Sequence, residues 1–171
     1  MTNTNFTEDE VGVLTVLPYL VGTAVALSGK SSPIGFLREM RVVDHVPELA
    51  DSFVENPLVR IALTSRDHYA LTITPELVIL KEQGDDIKHR YTPERLRTHV
   101  LELCARARGI LARHAEPDEA TQYTEWLMSV ATRVADAANE GGLFGIGRTR
   151  EAEHEQATVA AIGLALGIMP A

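Results

Sequence analysis

Eighteen consecutive residues without a charge, Val11 to Ser28, constrain this chain more than any other feature. A run of that kind has two physical homes, the hydrocarbon of a bilayer or the centre of a protein core. It only just reaches the length of a membrane span. Gly12, Thr15, Pro18, Gly22, Thr23 and Ser28 lower its hydrophobicity further. The residues before it are Glu8, Asp9 and Glu10, whereas a secretory signal opens with bases. Val11–Ser28 therefore reads as a buried core helix, with no stable membrane insertion and a cytoplasmic address. Ala157–Ala171, also uncharged and without flanking lysines, reads the same way.

A core helix needs other elements to bury it. The chain has 171 residues, enough for one ordinary domain spanning 1–171. A single cysteine, Cys104, excludes an intrachain disulfide framework and a cysteine-rich zinc site. The net charge of −8 speaks against nucleic acid as a partner. The imbalance is concentrated at the end, where residues 116–171 carry nine acids against three bases. Such a balance repels phosphates and attracts cations.

Caps and periodicity divide the chain into helices. Thr7 and Glu10 form a capping box, with Phe6 and Val11 placed for a hydrophobic staple, and residues 1–6 read as a flexible N-terminus. That first helix should bend at Pro18 and stop at Ser28-Gly29. Ser32-Pro33 opens a second, which Pro47 breaks or bends. Residues 48–63 read as helical with an interruption at Asn56-Pro57. The 64–91 region is an irregular connection, in which Thr74–Lys81 fits a short helix and Tyr69–Leu80 fits a hairpin. Thr92-Pro93 begins a strong helix with Leu96, Val100, Leu103, Ala107 and Ile110 on one face. Its Arg95–Arg106–Arg113 stripe reads as a solvated face. Tyr123, Trp126, Leu127, Val130, Val134 and Ala138 line the next helix, which ends at Asn139-Glu140-Gly141-Gly142. A last, alanine-rich helix covers about 150–167. The sum is an all-α bundle of five to six helices. Their faces are filled by small residues, since Phe, Trp and Tyr number only four, one and four.

Ile34-Gly35-Phe36-Leu37-Arg38-Glu39 matches Ile146-Gly147-Arg148-Thr149-Arg150-Glu151 at four of six positions. Each segment follows a small-residue helix and precedes another helix. Two pseudo-repeated helix–loop–helix halves explain the echo, and so does the reuse of a few capping residues.

One cluster suggests chemistry. Asp136 and Glu140 are four residues apart in the last turn of their helix, where like charges repel and the helix end is itself partly negative. Across a glycine-rich loop stand Glu151, Glu153 and Glu155. A hard divalent cation, calcium, magnesium or manganese, suits such an oxygen set. Counting Glu140 as position one places Gly145 sixth and Glu151 twelfth, as an EF-hand requires. Gly142 and Phe144 then occupy positions that need side-chain oxygens, so the loop is not an EF-hand. The alternative reading is that the three glutamates only favour a helix start. No nucleophile elbow, phosphate loop, dinucleotide fingerprint or His-Glu-x-x-His occurs, and Cys104 lies at the edge of a buried stripe. The chain reads as a non-enzyme. Its alternatives are a cation-linked binding module, or a bundle without ligand that is purely structural or meets a partner, either another protein or a second copy of itself.

Trp126–Ala131, Val134–Gly147, Glu153 and Glu155, together with Leu17–Ala26, Ile34-Gly35 and Arg38-Glu39, resemble the TerB-like (tellurite-resistance protein B-like) helical family of uncharacterised bacterial proteins. The resemblance covers about residues 8–60 and 118–168. It implies a helical bundle, a link to stress response, and divalent-cation binding through acids at the turn. Carried over residue by residue, those acids are Asp136, Glu140, Glu151, Glu153 and Glu155. The chain departs from the family pattern in having Glu140-Gly141 and a longer loop where Asp-Gly is expected. Its first turn, Ser28-Gly29-Lys30, carries no acid. The cation site is thus expected once, not twice.

Overall fold

A computed structural model of the chain describes residues 6–29, 33–66, 92–139 and 148–168, without the side chains of 33–37, 138–139 and 148–152. The described residues form six α-helices and one 3-10 helix, with no strand among them. The helices are α1 (Glu8–Ser28), α2 (Pro33–Asp44), the 3-10 helix (Glu48–Phe53), α3 (Pro57–Thr64), α4 (Pro93–His114), α5 (Pro117–Asn139) and α6 (Arg148–Leu166). The expected all-α bundle is the fold. Residues 67–91, where a short helix and a hairpin competed, lie outside the described residues, as do Ile146 and Gly147 of the internal echo.

Local chemistry sets the helix ends. Thr7 Oγ1 accepts from the Glu10 amide at 3.2 Å, and the Glu10 carboxylate accepts from the Thr7 amide at 2.9 Å, which closes the capping box. Phe6 belongs to the bundle rather than to a loose tail. It packs on the core, its ring centroid 5.3 Å from that of His114. Asn56 Oδ1 caps α3 by accepting from the Leu58 and Val59 amides. Thr92 caps α4 by accepting from the Arg95 amide. At the other end of the chain α6 stops at Gly167, whose φ of 86° is left-handed. The Ile168 amide reaches Gly163 O and the Gly167 amide reaches Leu164 O, the paired bonds of a Schellman ending.

α1 is the centre of the described bundle, in contact with each of the other five described α-helices. A helix surrounded in this way has no solvated stripe, which is why its uncharged run is continuous. Leu14, Leu17, Val21 and Val25 are completely enclosed, each such burial stabilising by about 1.5–3 kcal/mol. Its apolar window is 72% buried inside the bundle, so packing accounts for a composition that could also suit a membrane. Close approach is needed on one side. A Cβ on Gly22 would stand 2.9 Å from Val43 Cγ2 of α2 and 3.4 Å from Val130 Cγ1 of α5.

Pro18 lies inside α1 and has no amide hydrogen, so the carbonyl four residues earlier, at Leu14, loses its helical donor. Tyr123 of α5, completely buried, replaces that donor with its hydroxyl at 2.6 Å. Asn56 makes a comparable long-range bond. Its amide nitrogen donates to Glu119 O at 2.9 Å and to Gln122 Oε1 at 3.2 Å, tying the start of α3 to α5.

The arginine stripe of α4 is not simply solvated. The start of α1 lies against the end of α4, and there Arg106 pairs with Asp9 and Arg113 with Glu10, the latter at 2.9 Å. Periodicity showed that these arginines shared a face but not that the acidic start of α1 would lie beneath it.

Candidate functional site

The acidic turn is carried by the end of α5 and the start of α6, two helices that pack on each other and on α1. Asp136 is exposed, between the buried Ala135 and Ala137. Glu153 is also exposed, but Glu155 is buried, with only 1% of its surface accessible. Two residues along a helix is roughly 200° of rotation, so those two glutamates cannot share a face. Glu151 stands one turn before Glu155 in α6, with its side chain outside the described residues, and Glu140 lies outside them altogether. Asp136 and Glu153 are therefore outward-facing acids, and Glu155 is an inward one. Among the described residues no three His, Cys, Asp or Glu side chains form a group able to hold a metal ion.

The burial of Glu155 has a counterpart. Glu39 on α2 is completely enclosed. Each glutamate occupies a position on its helix's core stripe: Glu39 with Val43, and Glu155 with Thr158, Ile162 and Leu166. A carboxylate inside a protein is costly to desolvate and is retained only with compensating interactions. Neither residue is without a partner. Helical pairs α1–α2 and α5–α6 thus each bring one buried glutamate into a common bundle. In the sequence echo Glu39 aligns with Glu151, one turn before Glu155. Glu39 was not among the candidates read from sequence. The available signal was its spacing of four and seven from Val43 and Val46, which puts a charged residue in register with an apolar stripe.

No family model, curated protein or solved structure matches this chain. Its site must be read from its own residues.

Two other reactive groups are accounted for by packing. Burial pushes the Cys104 thiol up to about 12, so it is not a thiolate at neutral pH. Burial also raises Tyr123 well above the usual phenol range, with a smaller contribution from Cys104 nearby. The hydroxyl thereby keeps the proton it donates to Leu14 O. At the far end of the bundle Glu10 is held down to about 2, first by the Thr7 backbone hydrogen bond and then by Arg113. These shifts belong to a cap, a core thiol and a structural hydrogen bond.

Proposed function

We propose that the chain is a non-enzymatic helical binding module of the cytoplasm, and that its acidic turn takes a divalent cation. Its ligands are drawn from Asp136, Glu140, Glu151, Glu153 and Glu155, with the outward Glu153 apart from an ion that the inward Glu155 holds, and the ion is calcium, magnesium or manganese. The observation that carries this reading is Glu155. It is a buried carboxylate on the inner stripe of α6, four residues after Glu151 and so one turn from it. A cation offsets both the repulsion and the cost of burial. On the strength of the TerB-like resemblance, we read a stress response as the setting of such a module.

A second reading has its own support. The opposite faces of Glu153 and Glu155, and the lack of a metal-holding group among the described residues, favour a bundle whose ligand is another protein or a second copy of the chain.

Thermal melting separates the two. A cation that binds only the folded state stabilises it by about 2.7 kcal/mol at a hundredfold excess over its dissociation constant. Millimolar calcium, magnesium or manganese should raise the melting temperature of the wild type. Glu140→Gln combined with Glu155→Gln should abolish the rise, and Glu153→Gln should leave it in place. If none of the three ions moves the melting temperature, the cation reading fails and the interaction bundle stands.

A further inference from the structure

The molecule carries a basic groove at odds with its net charge of −8. It lies between α2, the 3-10 helix and α5, with a volume of about 400 Å³. Arg38 and Arg41 enter it from α2, at a spacing of three that puts them on one helix face, and His45 enters from the turn just past the end of α2. Arg133 enters from α5, on the opposite wall, and Val42, Leu49 and Ala137 supply an apolar floor. Among the described residues the one carboxylate in the lining is Glu48, 3.7 Å from His45 Nε2.

Several arginines elsewhere are engaged. Arg106 and Arg113 are paired with the start of α1, Arg60 lies 3.9 Å from Glu55, and Arg66 stacks on the Tyr19 ring. Among the described residues the Arg38 and Arg41 side chains make no ion pair or hydrogen bond. A chain with more acids than bases has thus left two guanidinium groups open in a concave site, facing a third.

We propose that this groove binds a small molecule bearing a phosphate or diphosphate group, held by Arg38 and Arg41 with Arg133 adding its charge from the opposite wall. The guanidinium fork matches phosphate oxygens in pairs, and the two open forks suit a group with more than one negative charge. The volume fits a small ligand, with the apolar floor available to whatever carries the phosphate. The surrounding negative field makes the attraction local to the groove and discourages an extended polyanion. This proposal uses none of the turn acids and stands apart from the cation reading.

Inorganic pyrophosphate, titrated calorimetrically into the full chain in a chelator-treated buffer free of divalent ions, is the direct probe. The wild type should bind it, with affinity falling as salt is added. Arg38→Gln with Arg41→Gln should weaken binding by at least about tenfold, as expected for lost charge-assisted hydrogen bonds. The two single variants should each weaken it less. Arg41→Lys, which keeps the charge without the fork, should fall between wild type and Arg41→Gln. Arg60→Gln, outside the groove, should change nothing. Circular dichroism and melting of each variant confirm an intact bundle, and the exposed single variants decide the matter if the double variant is unstable. Absence of wild-type binding at millimolar pyrophosphate overturns the proposal. So does an equal loss in Arg60→Gln, or unchanged affinity in the groove variants.

Discussion

Tyr123 shows how one hydroxyl supports a whole helix. Pro18 deprives Leu14 O of its helical donor inside the core, and an unsatisfied buried carbonyl costs about 1–3 kcal/mol. The Tyr123 hydroxyl supplies that bond from α5. Tyr123→Phe should therefore destabilise the protein by about that amount in urea unfolding, although it removes only one atom. The cost should shrink in a Pro18→Ala background, where residue 18 regains an amide hydrogen for Leu14 O. A double-mutant cycle measures this coupling directly, and strict additivity would contradict the compensation. Gly22 is the complementary case, a residue chosen for having no side chain at the contact with Val43.

At the scale of elements, the contact between the start of α1 and the end of α4 is electrostatic and has a pH signature. Glu10 accepts from the Thr7 amide, pairs with Arg113 and lies 3.4 Å from His114 Nε2. Its carboxyl is lowered from 4.5 to about 2. A depressed carboxyl contributes stability that is complete above its unfolded value and is lost as pH falls toward the folded one. Wild-type stability should thus lose a Glu10 contribution between roughly pH 4.5 and 2. Glu10→Gln should be less stable than wild type at pH 7, and the two should converge toward pH 2 when melts are compared across that range. Both helices were legible from their caps. Their pairing was not, because no local signal links Glu10 to a residue more than a hundred positions away.

At the scale of the molecule, cohesion depends on α1. It touches each of the other five described α-helices, so its loss would leave those five without a common surface. Leu17 is fully enclosed on it. Leu17→Ala should cost about 2–5 kcal/mol and shift the entire unfolding transition, with far-ultraviolet dichroism and Trp126 fluorescence moving together. Trp126 is itself completely buried on α5, which makes it a reporter remote in sequence from the substitution. A transition that separated the two signals would show that the bundle contains independent parts.

Helix identity and helix ends were determined by sequence alone. Thr7 with Glu10, Asn56-Pro57, Thr92-Pro93 and Gly167 act through bonds between residues a few positions apart, and such bonds can be read along the chain. The core placement of Val11–Ser28 followed from length and composition, and the structure encloses most of that run. Only the tertiary structure decided which charged residues meet, and which are enclosed. It turned Glu153 outward and Glu155 inward, buried Glu39, sent Arg106 and Arg113 to α1, and left Arg38 and Arg41 open in a groove opposite Arg133. The physical reason is that a charged side chain's environment depends on the helices packed around it, and their arrangement is set by contacts between residues far apart in the chain.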